Sequence, residues 1–316
     1  MGRVPRNTIL VGDARERLQA LPGSSIDCVI TSPPYYRLRD FGAGDRQIGL
    51  ERTVEAWVES LREVFRGIAR VLKPTGAAWL NLGDSYSRSL GEGAPTKGLL
   101  LAPERLLLAL AADGWIVRNK IIWAKTNPMP SGVTDRLEAT YDLVYLLVRS
   151  SRYFFDLDAI RVSAATPHGH VTLGKGPGDV WPIPVANFRG PHFATFPSKL
   201  VETPILSTCP ARLCVACGTP WKTKTTIRQL GNVVRFKTDH FVRRHPVRYA
   251  VLRTNPRLLP QCGCDAKTRP GIVLDPFFGT GTVGVVAGCL DRDWVGVEVN
   301  PTYADLARRR LSGTAA

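Results

Sequence analysis

An α/β fold with a mostly parallel sheet is the architecture this 316-residue sequence predicts. Three observations carry it. Strand-length apolar runs alternate with helical periods over the first 150 residues, and the same alternation returns after residue 270. Two of the runs end in turns rich in Pro or Gly, where open parallel sheets bind ligands.

The elements follow in order. Thr8–Val11 is a short strand stopped by Gly12-Asp13, and Arg15–Leu21 reads as helix. Ile26–Ile30 is a buried strand halted by Pro33-Pro34. From Thr53 to Leu72, apolar residues at Val54, Trp57, Val58, Leu61, Val64, Phe65, Ile68 and Leu72 mark an amphipathic helix that Pro74 closes. Ala77–Leu82 is a strand, Pro103–Ala112 a helix, and Ile116–Trp123 and Tyr141–Val148 two further strands. Residues 160–192 carry many Pro and Gly and little period. After a stretch of different character from Cys209 to Asp265, Gly271–Leu274 and Trp294–Val299 read as strands around an apolar helix ending at Leu290. A last helix, Pro301–Leu311, ends in three arginines.

Composition narrows the function. With 44% hydrophobic and 22% charged residues the chain can bury a core and is not of disordered type. Lys and Arg number 42 against 27 acids, a formal charge of +15. Such an excess favours a polyanionic partner, nucleic acid before a membrane surface, although a generically basic protein has the same balance. No apolar run approaches the roughly 18–20 residues of a membrane span, and the N-terminus does not read as a signal peptide. Seven cysteines, four of them in two close pairs, suit a reduced compartment with a metal site. The expected location is the cytoplasm.

The sharpest motif is Thr31-Ser32-Pro33-Pro34-Tyr35, at the end of the Ile26–Ile30 strand. Two prolines remove two N–H donors and fix φ, leaving a rigid turn that presents bare carbonyls. With a hydroxyl before and an aromatic ring after, the turn suits a flat heterocycle bearing an exocyclic amine. A Pro-Pro turn also closes strands without any chemistry. The second motif is Asp275-Pro276-Phe277-Phe278-Gly279-Thr280-Gly281-Thr282, where glycines let the backbone approach a ligand over a helix N-terminus. Glu298 ends the next strand, where an acid binds ribose hydroxyls. The spacing is neither that of a dinucleotide fingerprint nor that of a P-loop. Asp275 would repel a pyrophosphate and suit an ammonium, which selects S-adenosylmethionine over NAD or ATP. An ordinary tight strand-to-helix turn is the plainer alternative.

With these motifs in place, nearly the whole chain resembles the β-class amino-group DNA methyltransferases, which act on cytosine N4 or adenine N6. The order matches, with Ser32–Tyr35 near the N-terminus and Asp275–Thr282 near the C-terminus. So do Gly12-Asp13 with Ser25-Ile26-Asp27, Leu38–Gly42 and Gln47–Leu50, Trp79–Tyr86, Lys125–Pro130 and His192–Pro197. Arg37 stands where the family usually has a small residue, and Glu138–Asp142 lacks the expected Ser-His-Glu. The resemblance implies a Rossmann-like methyltransferase fold in circularly permuted order, with residues 1–208 and 265–316 as the catalytic domain and 151–192 as its target-recognition segment. It implies Ser32, Pro33, Pro34 and Tyr35 as catalytic residues. For the cofactor it implies Asp13, Thr31, Phe193, Phe196, Pro197, Asp275, Pro276, Phe277, Gly279, Gly281, Thr282, Glu298 and Asn300. Double-stranded DNA is the implied substrate, and a cognate restriction endonuclease the expected partner.

The expected reaction is direct methyl transfer to a flipped base without a covalent intermediate, since there is no Pro-Cys nucleophile loop. Ser32 favours cytosine N4; adenine N6 enzymes more often carry Asp there. The other readings are a catalytically inactive methyltransferase-like DNA-binding protein and, third, a protein-glutamine or RNA methyltransferase, which more often has Asn at that position and the opposite motif order.

The remaining signal is a basic insertion, residues 209–264. Cys214, Cys217, Cys262 and Cys264 offer four soft ligands for a structural zinc, with Cys209, His240 and His245 as substitutes and four unrelated reduced thiols as the alternative. Between Trp221 and Arg253 lie nine Lys or Arg and one acid, Asp239. Cys28 and Cys289 sit in apolar runs and read as core.

Overall fold

Ile26–Thr31 (β2) is buried at all six positions, and it lies inside an eight-stranded sheet rather than at its edge. The computed structural model describes residues 4–162, 173–186, 196–232, 249–253 and 256–313. The first strands are β1 (Thr8–Val11), β2, β3 (Leu72–Leu82), β4 (Ile116–Lys125), β5 (Tyr141–Val148) and β6 (Val180–Ile183). Two late strands complete the sheet, β13 (Ile272–Asp275) and β14 (Asp293–Glu298). Across the sheet the order is β1-β14-β13-β2-β3-β5-β4-β6. All neighbours run parallel except β5, which is antiparallel to both β3 and β4. The mostly parallel sheet is therefore mixed at one strand. No helix carries the chain back between β4 and β5, so β5 enters from the edge where β4 ends.

Helices cover both faces. On one face lie α1 (Ala14–Ala20), α2 (Val54–Val71) and α3 (Ala102–Ala112), packed through Leu18, Trp57, Leu61, Phe65 and Leu106. On the other lie α4 (Ser198–Thr208), α5 (Thr282–Cys289) and α6 (Pro301–Leu311), packed through Val201, Ile205, Val283, Ala287 and Ala304. The helix α2 buries seven residues on one stripe, and Thr53 caps it by accepting from the Ala56 N–H at 3.1 Å. It stops at Val71, and Pro74 lies in β3 rather than at the helix end. Leu72 pairs with Ile26 and the ladder resumes only at Ala77 with Cys28, so Pro74 falls in an irregularity where no ladder N–H is needed.

Two elements were not legible as such. Helix α4 carries Pro204 in its interior, and β6 carries Pro182; as an edge strand beside β4, β6 tolerates the missing donor.

The 209–264 region begins and ends on a pairing of β7 (Leu213–Cys214) with β12 (Thr268–Arg269). Inside it, β8 (Lys222–Lys224) pairs with β11 (Arg257–Leu259), and β9 (Ile227–Asn232) with β10 (Tyr249–Arg253). Much of the basic stretch, with His240 and His245, lies outside the described residues. Among those described, no helix is long and apolar enough to cross a membrane.

Candidate active site

From β13 the chain passes through α5 to β14 on one side, while from β2 it passes through α2 to β3 on the other. The seam between β13 and β2 is thus the switch point of the sheet, where ligands bind beyond the carboxyl ends of strands. A cavity of about 270 Å3 opens at this edge.

One wall is the predicted turn: Ser32, Pro33, Pro34 and Tyr35 all line the cavity. The indole of Trp57 donates to the Pro34 carbonyl at 3.0 Å, leaving the Ser32 hydroxyl and the Pro33 carbonyl as the acceptors open to a ligand. Beside the turn stand three residues to which the sequence reading gave no role, Asn81, Lys125 and Asp142. Asn81 Oδ1 accepts from Ser32 Oγ at 3.2 Å and from Tyr35 OH at 3.1 Å, while its Nδ2 donates to the Leu143 carbonyl at 3.1 Å. That last bond fixes which end of the amide faces the cavity. Tyr35 OH also lies 3.2 Å from Asp142 Oδ2, whose other oxygen accepts from Lys125 Nζ at 2.8 Å. Burial first, then the Asp142 charge, push the Tyr35 phenol well above its ordinary range, so it stays a protonated donor at neutral pH. The ring lies against Gly83, where a Cβ would stand 2.7 Å from Tyr35 Cε2.

The facing wall comes from the late strands. Pro276, Phe277, Gly279 and Glu298 line it, with Asp13 and Phe196 alongside. Glu298 Oε2 accepts from the Gly279 N–H at 2.7 Å and Oε1 from the Asn300 N–H at 2.8 Å; burial pushes its carboxyl up. Asp13 caps α1 and is gripped by Arg15 at 2.6 Å; burial opposes its ionisation, and the Arg15 bonds outweigh it to hold the carboxyl low.

Other predicted cofactor residues stand behind this wall rather than in it. Asp275 is buried, with Oδ1 accepting from Thr31 Oγ1 and from the Phe277 N–H, each at 3.0 Å. Gly281 takes φ +81° to open α5, and Thr282 accepts from Arg310 at 3.0 Å. Asn300 caps α6, and Pro197 precedes α4. Phe193 and most of its motif lie outside the described residues.

A third group closes the cavity from the segment between β2 and α2: Leu38, Arg39, Phe41, Arg46, Gln47 and Ile48. The motif resemblance touched this segment without assigning any residue to the site. In the basic region, Cys214, Cys217, Cys262 and Cys264 bring their sulfurs within 4.8 Å of one another, with no disulfide.

Residues 26–215 and 260–309 match the N6/N4 methyltransferase family, described as DNA methylase. Among curated proteins, the chain is similar to the Type II methyltransferase M.SmaI of Serratia marcescens, 35% identical over 96% of this chain and 90% of that protein. In fold it is similar to the PvuII DNA methyltransferase (cytosine-N4-specific), with a TM-score of 0.60 and 18% identity over 99% of this chain and 97% of that one. It is likewise similar to a DNA modification methylase of Thermus thermophilus complexed with S-adenosyl-L-methionine, with a TM-score of 0.55 and 22% identity over 97% and 95% of the two chains.

Proposed function

The chain belongs to the N6/N4 DNA methylase family, and from that premise we propose that it methylates the exocyclic N4 amine of cytosine in double-stranded DNA, with S-adenosylmethionine as donor. The observation that carries the choice of base is the Ser32 hydroxyl set 3.2 Å from the Asn81 amide oxygen, a neutral pair where a carboxylate would suit adenine N6. The residues present fit the donor: Glu298 faces the cavity from a strand end, glycine backbone lines the wall beside it, and Phe277 offers an apolar surface. When bound, the donor supplies an activated methyl group.

The protein's own work is positioning and proton handling. The target amine is a weak nucleophile because its lone pair is delocalised into the ring. Ser32 Oγ and the Pro33 carbonyl accept its hydrogens and turn the lone pair toward the methyl. Tyr35 supplies a surface for the extruded base, offsetting part of an unstacking cost of a few kcal/mol. Lys125 and Asp142 hold the Tyr35 hydroxyl in place. Nucleoside mass spectrometry of DNA from cells expressing the chain tests the reading. N4-methylcytosine is expected; N6-methyladenine would move the target to adenine, and no modified base would favour a DNA-binding protein without catalysis.

The cysteine cluster fits a structural zinc. Four thiols with no disulfide match a tetrahedral soft-ligand site, and Cys214 and Cys217 flank a tight turn in which the Gly218 N–H donates to the Cys214 carbonyl at 2.9 Å. The family match is interrupted between residues 215 and 260, which supports reading the basic region as an insertion in the catalytic domain. Its nine cations suit phosphate contact. A restriction endonuclease of the same site specificity is the partner this activity would protect DNA against, and cleavage protection assays on modified DNA identify it.

A further inference from the structure

The charges around the cavity are not all matched. Asp13 is held by Arg15, Asp142 by Lys125, and Glu298 by two backbone N–H groups. Two cations of the closing segment, Arg39 and Arg46, also line the cavity. Arg46 is exposed. Arg39 is half-buried, and its Nη1 is buried with no hydrogen-bond partner among the described residues.

The backbone that presents Arg39 is fixed in advance. Gln47 brackets it, with Nε2 donating to the Arg39 carbonyl at 3.1 Å and Oε1 accepting from the Phe41 N–H at 2.7 Å. The Arg37 N–H donates to the Gly49 carbonyl at 2.7 Å, closing the base of the loop. The loop is tied to the cofactor wall. Asn300 Nδ2 donates to the Phe41 carbonyl at 2.8 Å, and the Phe41 ring meets Tyr303 edge-on at 6.4 Å. A preset guanidinium with an unmet buried donor is built for an anion that arrives with a ligand. A DNA phosphate on the outside of a duplex would meet exposed Arg46 first.

We infer that Arg39 binds the α-carboxylate of the amino-acid moiety of S-adenosylmethionine, and so makes the site selective for the intact cofactor over analogues lacking that group. This rests on the cofactor reading above.

Calorimetry on the full chain with S-adenosylmethionine and with its decarboxylated analogue tests it. Wild-type protein binds the intact cofactor more tightly. Arg39→Gln weakens the intact cofactor about 10- to 100-fold while leaving the analogue within about twofold, so the preference disappears. Arg39→Lys falls between, keeping charge but losing the fork. Equal weakening of both ligands, no preference in the wild type, or unchanged cofactor affinity with a shallower salt dependence of DNA binding overturns the role of Arg39 alone. A wild-type protein that binds neither ligand overturns the cofactor reading and takes Arg39's role with it.

Discussion

The hydroxyl of Thr31 donates to Oδ1 of Asp275 at 3.0 Å, joining two residues 244 apart in sequence across the seam between β2 and β13. Each sits at the carboxyl end of its strand, and each opens one of the two motifs. The catalytic turn and the cofactor turn are therefore held in register by one hydrogen bond between the residues that precede them.

That bond lies in a buried place. Burial pushes the Asp275 carboxyl from its ordinary 3.8 up to about 7. Native protein thus holds a proton there that the unfolded chain has released between about pH 4 and pH 7, and stability falls as pH rises through that window. In thermal melts without cofactor, Asp275→Asn is expected to show a flatter pH dependence than wild type over this range. The same variant and Glu298→Gln are each expected to weaken cofactor binding, by about 10-fold or more on calorimetry. Glu298→Ala is expected to cost about 1–3 kcal/mol in addition, because the Gly279 and Asn300 N–H groups lose their acceptor.

Ser32→Ala and Tyr35→Ala keep cofactor affinity and lose methyl transfer by about 100-fold or more, as when a donor or acceptor at a reacting centre is removed. Single-turnover transfer of labelled methyl to DNA measures this, and wild-type rates in both would remove the turn from the chemistry.

Gly83→Ala places a methyl 2.7 Å from both Tyr35 Cε2 and Asp142 Oδ1. The expected result is a folded protein with displaced Tyr35, impaired in transfer but not in cofactor affinity. A variant with full turnover shows that the ring can move aside without consequence.

For the basic region, metal analysis of protein never exposed to chelator is expected to find one zinc per chain, and Cys217→Ser to lower it. Replacing the segment between Cys214 and Thr268 with a short turn is expected to weaken DNA binding and flatten its salt dependence while sparing cofactor affinity.

Much of this site was readable because its two motifs are local. A strand, a Pro-Pro turn and a Gly-rich turn each declare themselves within ten residues, and strand ends fix where they point. Asn81 and Asp142 were not readable. Asn81 lies inside an apolar strand and gains meaning only from Ser32, 49 residues away, and Tyr35 meets Asp142 107 residues away. Glu138–Asp142 was noted only for lacking a family pattern, yet its last residue reaches Tyr35 because β5 runs backwards. Thr31, Gly281 and Asn300 were rightly tied to the cofactor turns, but period and spacing do not tell a wall from the layer behind it.

The reversed strand β5 also has a consequence for how such a protein can change. The segment 126–140 leaves the sheet after Lys125 and returns at Tyr141, and Lys125 pairs with Asp142 at its base. Both ends are anchored beside the catalytic turn whatever lies between them. Lengthening a flexible loop costs only about 0.6 kcal/mol per doubling. Residues beside the target base can thus be exchanged, lengthened or shortened as a cassette while the reacting groups keep their places, leaving selection free to reshape what is read without rebuilding what reacts.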